Sequence, residues 1–249
     1  MLRGKPPIVA EGKNDIMARM KNGTSALSPE NATNEVSATH KAYLALRRMI
    51  VVGELQPGEK LKIDRLRNVL DTGASPVREA LSLLTSDLLV ERLDQRGFRA
   101  ADTSHENFVE ILTLRCELEE MALRQSISKA DEEWEDALVL AHHKMVRQDP
   151  ADLESFEARH KDFHMALLSN CRSPILMKFC SQLYDLNIRY RYLAGKALDY
   201  QKRDVAAEHA AILEAALDRD ADLASERLLN HYRQTGAFLN GLFSQESDT

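Results

Sequence analysis

The run Asp71-Thr72-Gly73-Ala74-Ser75-Pro76-Val77-Arg78-Glu79-Ala80-Leu81 reads as a loop feeding a helix. Ser75 is a good N-cap, and Pro76 would sit at the first helical position, where its missing N–H costs nothing. Val77, Ala80, Leu81 and Leu84 then fall on one face. Working back towards the N-terminus, a helical pattern begins at His40 with Tyr43, Leu44, Leu46, Ile50 and Val51, and Gly53 stops it. Leu55-Gln56-Pro57-Gly58 is a turn, because proline sets φ and glycine tolerates positive φ. A second short helix follows, with Leu61, Ile63, Leu66, Val69 and Leu70 apolar. Towards the C-terminus, Leu89-Val90-Glu91-Arg92-Leu93, Asp94-Gln95-Arg96-Gly97 and Phe98-Arg99-Ala100 read as strand, turn and strand.

Three short helices followed by a β-hairpin make the plan of a winged helix-turn-helix, whose third helix enters the major groove of double-stranded DNA and whose hairpin is the wing. Arg78 and Ser82 share the face of the third helix opposite its apolar side, and Ser75 stands at its mouth. Arg47, Arg48, Lys60 and Lys62 are candidate phosphate contacts, and Arg92, Arg96 with Gly97, and Arg99 decorate the hairpin. Guanidinium groups bind phosphates or read guanine edges in a bidentate way. The competing reading is a small helical domain whose arginines are merely solvated.

With 249 residues, 44% of them hydrophobic and 29% charged, the chain has material for two packed domains and is neither disordered nor collagen-like. It contains no bilayer-length apolar run and no signal-peptide core, and its three cysteines form no CxxC pair, so a reduced cytoplasm is the expected location. The net charge of −6 is uneven: residues 40–102 carry eleven Lys and Arg against nine Asp and Glu, whereas residues 103–249 carry seventeen against twenty-six. Residues 1–39 lack periodicity and are expected to be a flexible tail ahead of a DNA-binding domain at 40–102.

From Thr103 onward the pattern is almost continuously helical, so residues 103–249 are expected to form an antiparallel all-α bundle of about six helices, making the fold mainly α. Thr103-Ser104-His105-Glu106 has capping-box spacing and opens a helix with Phe108, Ile111, Leu112, Leu114, Leu118, Met121 and Ala122 apolar. Ser128, Asp149, Ser173 and Asp204 are candidate caps, with Pro150 and Pro174 just inside two helix starts.

His160 and His164 are four residues apart and share a helix face; His209 lies early in the next-to-last helix and His231 in the last. Imidazoles converging from three helices inside a bundle make a natural site for a divalent ion such as zinc or nickel, whereas single histidines are usually surface or packed residues. The adjacent His142 and His143 read as surface residues.

The stretches Gly53-Glu54-Leu55-Gln56-Pro57-Gly58-Glu59-Lys60-Leu61, Ser75-Pro76-Val77-Arg78-Glu79-Ala80-Leu81, Leu89-Val90 and Arg96-Gly97-Phe98 resemble the GntR family of bacterial transcription regulators. The resemblance implies operator contacts by Arg78 and by the wing at Arg96-Gly97. Ala74 stands where the family often has an arginine, and Asp64 where many members have a basic residue. The second half resembles the C-terminal ligand-sensing (FCD) domain of the FadR subgroup through Arg115-Cys116-Glu117-Leu118-Glu119, Phe163-His164, Glu208-His209, Ile212–Asp220 and His231. In metal-binding members an aspartate precedes the Phe-His histidine by four residues; here that residue is His160, which implies an all-histidine set of His160, His164, His209 and His231.

The resemblance further implies a small carboxylate effector held by the metal and by arginine, with Arg115 the first candidate and Arg189 and Arg191 the next. The cluster Ile188–Tyr192 resembles a subgroup sensing short dicarboxylates or hydroxyacids such as glutarate. A homodimeric repressor on a palindromic operator is the expectation, its recognition helices about 34 Å apart. Two alternatives stand beside it: a helical metallohydrolase, with Glu208 as base, and a DNA-binding regulator with a purely structural metal.

Overall fold

The computed structural model describes residues 37–94, 96–149, 151–193 and 204–246, with side chains as far as 239 at the C-terminal end. The expected tail falls outside these residues except at its end, where the expectation is corrected. The Ser37 hydroxyl caps α1 (Ala38–Val51) by accepting from the His40 N–H, which draws Ala38 and Thr39 into the helix. The other end behaves as expected: Gly53 stops the helix at a φ of +79°, a left-handed position that suits glycine.

After the Pro57-Gly58 turn comes a two-residue strand, β1 (Lys60–Leu61), that periodicity does not reveal. Leu61 therefore belongs to a strand, while α2 (Ile63–Val69) buries Leu66 and leaves Val69 exposed. The next helix, α3 (Ala74–Ser86), starts earlier than expected, with Gly73 at its N-cap. Ser75 is thus inside the first turn and does not cap it; its hydroxyl lies 3.3 Å from the Glu79 carboxylate. Pro76 remains acceptable two positions further in, as the third helical residue, because the first four N–H groups of a helix have no partner within it. The hairpin strands β2 (Val90–Leu93) and β3 (Gly97–Ala100) form as expected, and β3 is the central strand of an antiparallel β1-β3-β2 sheet. Gly97 has a φ of +94°, and Gln95 of the turn lies outside the described residues.

Among the described residues six α-helices follow: α4 (His105–Ser128), α5 (Glu132–Val146), α6 (Leu153–Leu168), α7 (Pro174–Leu193), α8 (Val205–Leu217) and α9 (Ala221–Glu246). The expected capping box does not form: Ser104, not Thr103, caps α4 through the Asn107 N–H at 3.1 Å, which leaves Asn107 where the box needs a glutamate or glutamine. Ser128 ends α4 and caps nothing; Asp131 caps α5 instead. Asp149 accepts from the Ala151 N–H, but Asp152 is the cap of α6, and Pro150 lies outside the described residues. Ser173 and Asp204 accept from Leu176 and Ala207 as expected caps of α7 and α8.

One apolar core runs from the winged helix into the bundle: Leu46, Ile50, Leu81, Leu84 and Phe98 pack continuously with Phe108, Ile111 and Tyr190. A second core, including Leu123, Trp134, Phe163, Leu167, Ile212 and Leu228, fills the rest of the bundle. The four histidines sit between helices α6, α8 and α9, at the polar centre of that bundle.

Candidate metal centre and DNA-reading face

His160 and His164 lie one turn apart on α6, and α8 and α9 bring His209 and His231 to meet them. All four are buried, and one ligand atom from each lies within 4.8 Å of the other three. His160 Nε2 is 3.0 Å from His164 Nε2 and 3.1 Å from His209 Nε2. Burial, reinforced by neighbouring imidazoles and arginines, holds His160, His164 and His209 well below the usual imidazole range. The rings are therefore neutral, the form that binds metals.

The outward-facing nitrogens decide where the ring protons sit. His231 Nδ1 is 2.7 Å from the Glu208 carboxylate, which can only accept. His164 Nδ1 is 2.9 Å from the Tyr232 hydroxyl, which spends its own proton on Glu119. His160 Nδ1 is 2.8 Å from the Tyr184 hydroxyl and 3.1 Å from Glu157, with Arg191 Nη1 more distant at 3.4 Å. Burial raises Tyr184 and Tyr232 well above the usual phenol range, so both keep a proton to donate. With Nδ1 protonated, the neutral rings have a bare Nε2 lone pair. Bare nitrogens 3.0–3.1 Å apart repel unless a proton or cation lies between them, so the donor set fits a divalent ion.

The candidate effector arginines separate in space. Arg115 is buried beside the histidines: Nε bonds Glu119 at 2.6 Å, Nη1 bonds Asn187 at 3.0 Å, and Nη2 has no hydrogen-bond partner. Its guanidinium stacks over the rings of Tyr184 and Tyr232. Arg191, also buried, pairs with Glu157 at 2.6 Å; burial raises that carboxyl, and Arg191 opposes the shift. Arg189 points elsewhere, its Nη2 donating to the Ala101 carbonyl at 2.7 Å in the link between wing and bundle.

On the winged helix, Arg78 and Ser82 are exposed together on α3, with Ser75 at its start, and Lys60, Lys62, Arg92, Arg96 and Gly97 are exposed around the sheet. Ser82 also back-bonds the Arg78 carbonyl at 3.0 Å. Arg47 and Arg48 are not part of this open face. Arg47 pairs with Asp185 of α7, and Arg48 holds Glu54 and Glu154 at 2.7 Å, so both tie the winged helix to the bundle. His142 departs from the surface expectation: it is half-buried, its ring edge-on to Phe163 at 5.3 Å.

Sequence reasoning missed Tyr184, Tyr232, Glu119 and Glu157, the residues behind the histidines. A signal existed for one pair, since Arg115 and Glu119 interrupt the apolar stripe of α4 at helical spacing. No spacing could link Glu119 to Tyr232, which is 113 positions away.

Comparison with known proteins agrees with this architecture. Residues 38–99 match the bacterial regulatory proteins of the gntR family, and residues 110–234 match the FCD domain. The chain is 36% identical over 211 residues to BphR of Paraburkholderia xenovorans, an uncharacterized HTH-type transcriptional regulator, covering 82% of this chain and 86% of that protein. It is 32% identical over 197 residues to the HTH-type transcriptional repressor GlaR of Escherichia coli, covering 76% and 90%. The solved structure of E. coli McbR/YncC shares the fold with a TM-score of 0.72 at 24% identity, covering 82% of this chain and 97% of that one. The chain therefore belongs to the GntR family, with a C-terminal FCD domain, and is a DNA-binding transcription regulator, not the metallohydrolase its histidines also suggested.

Proposed function

We propose that this regulator is a cytoplasmic, homodimeric repressor whose helical domain holds a divalent metal, zinc or nickel, at His160, His164, His209 and His231 and there senses a small carboxylic acid. The observation that carries the metal reading is the convergence of the histidines: one ring nitrogen from each of the four lies within 4.8 Å of the others, while three outward Nδ1 atoms have partners of their own. The name of GlaR supports repression. No described helix is long and apolar enough to cross a membrane, in keeping with a protein that works on DNA.

A bound metal would act as a Lewis acid towards a carboxylate oxygen. The buried Nη2 of Arg115 offers a donor for a second oxygen, held in place by Tyr184 and Tyr232. Arg191 is engaged by Glu157 and would serve the effector only by exchanging partners, and Arg189 would act on the link to the wing instead. A short dicarboxylate or hydroxyacid remains the effector class. DNA contacts fall to Ser75, Arg78 and Ser82 on α3, Arg96 and Gly97 of the wing, and Lys62; Arg47 and Arg48 would reach phosphates only after leaving their acidic partners.

A second reading is favoured by one observation: four buried imidazoles converge, enough donors to fill every position of a four-coordinate structural ion. A fluorescence anisotropy titration separates the two, using duplex DNA flanking the protein's own gene at fixed salt, with and without C4–C6 dicarboxylates and hydroxyacids. Sensing predicts tight, sequence-specific binding weakened by one acid. Binding that no acid changes, in a protein that chelation destabilises, leaves the structural ion; binding indifferent to sequence overturns the operator assignment.

A further inference from the structure

Two chains of side chains lie behind the histidines, and they match. In one, Arg191 of α7 pairs with Glu157 of α6 at 2.6 Å; Tyr184 Oη lies 3.5 Å from that carboxylate and 2.8 Å from His160 Nδ1. In the other, Arg115 of α4 pairs with Glu119 at 2.6 Å, Tyr232 of α9 donates to Glu119, and the same hydroxyl is 2.9 Å from His164 Nδ1. The sequence of groups is the same both times: guanidinium, carboxylate, phenol, imidazole. Arg115 also binds the chains to each other, its guanidinium 4.7 Å from the Tyr184 ring centre and 4.1 Å from that of Tyr232.

Each chain is polar from its outer end. A guanidinium only donates and a carboxylate only accepts, so the Tyr232 proton goes to Glu119 and its phenol oxygen is left to accept from His164, while the matching Tyr184–Glu157 contact is longer at 3.5 Å. Glu157 has a shortcut as well, standing 3.1 Å from His160 Nδ1 directly. The consequence is a set of neutral nitrogen donors with no oxygen among the four. Nitrogen donors suit zinc, nickel, cobalt and copper, whereas magnesium and manganese prefer carboxylate, carbonyl and water oxygens.

We infer that Glu157 and Glu119, acting through Tyr184 and Tyr232, are positioning residues that fix His160 and His164 with their protons on Nδ1, and that the resulting all-nitrogen site selects a borderline ion such as Zn²⁺, Ni²⁺ or Co²⁺ over Mg²⁺ and Mn²⁺. The inference rests on the metal reading given above. Glu208, bonded directly to His231 and more exposed than Glu157, is the third member of the set and the one open to solvent.

The test uses the full-length protein, stripped with a chelator and titrated with Co²⁺, whose visible absorption reports ligand geometry. The wild-type chain is expected to bind Co²⁺ and to release it to Zn²⁺ or Ni²⁺ but not to excess Mg²⁺ or Mn²⁺. Tyr232→Phe keeps the ring and the Arg115–Glu119 pair, so it should fold; it is expected to weaken Co²⁺ binding about 10–100-fold and to change the spectrum, as loss of an outer partner does. Glu157→Gln should act in the same sense, and Tyr184→Phe should lose less because Glu157 reaches His160 directly. If Glu157→Gln fails to fold, Tyr232→Phe decides alone. Wild-type affinity and spectrum in Tyr232→Phe overturn the positioning role, and displacement of Co²⁺ by an equal amount of Mn²⁺ overturns the selectivity. A wild-type chain that binds none of Co²⁺, Zn²⁺ and Ni²⁺ instead refutes the metal reading itself, before any variant is compared.

Discussion

The winged helix and the bundle are built on opposite principles. Every buried side chain described in the winged helix is apolar, from Ala42 and Leu46 to Phe98 and Ala100. The bundle buries Arg115, Glu119, Glu157, His160, His164, Asn187, Arg191, His209 and His231 at its centre. An apolar interior gains stability from every methylene removed from water, whereas burying charges costs desolvation that their pairing at best repays. The half that reads DNA keeps its polar chemistry on the surface and its interior for packing. The other half gives up packing stability to hold polar groups at its centre.

That contrast can be broken experimentally, and the largest effect is expected in the bundle. Glu119→Ala leaves Arg115 buried without its charge partner and should cost about 3–5 kcal/mol in chemical unfolding. Replacing both members, Arg115→Met with Glu119→Leu, should recover that loss or exceed it while weakening Co²⁺ binding about 10–100-fold. If the double variant stays as unstable as the single one, the polar centre contributes to stability and the contrast fails. In the winged helix, Leu81→Ala should cost about 2–5 kcal/mol, and no polar partner change should rescue it.

A smaller effect tests the surface. Arg78→Ala should weaken operator binding by about 1–3 kcal/mol and relax specificity at the base pair it reads; uniform weakening on all sequences would make it a phosphate contact. The smallest concerns Tyr43, whose hydroxyl bonds Asp87 at 2.8 Å and joins α1 to the end of α3. Tyr43→Phe should cost about 1 kcal/mol at neutral pH. Burial, then the bond to Asp87, raises the Tyr43 phenol from 10.0 to about 12. A raised folded value means the contribution is complete below pH 10 and is lost as pH climbs towards 12. The wild-type and Tyr43→Phe unfolding curves should therefore converge in that alkaline range; a constant gap would show that the phenol proton is not what the bond depends on.

How much was legible in the sequence follows the same division. The winged helix could be read because its signals are local: helical spacing from Tyr43 to Val51, a glycine stop at Gly53, a hairpin turn ending at Gly97. Strand β1 escaped because two residues carry no period, and its partner β3 lies almost forty positions on, with Lys60 opposite Arg99. In the bundle the histidines were legible through the four-residue step from His160 to His164. Tyr232 was not, because it meets His164 across 68 positions and reads as one more apolar residue of α9. Arg47 and Arg48 looked like phosphate contacts because sequence shows a charge but not the carboxylate facing it; Asp185 and Glu154 lie on other helices.

Helix α7 has a consequence beyond its packing. Arg189 grips the Ala101 carbonyl at the joint with the wing, Tyr190 bonds Asn107 at the start of α4, and Arg191 closes the chain that ends at His160. Three successive residues thus touch the link to the wing, the start of α4 and the histidine cluster. Two residues of helix rise only about 3 Å. A turn of α7 about its own axis would move the grip on Glu157 and the grip on Ala101 together, like two teeth cut on one shaft.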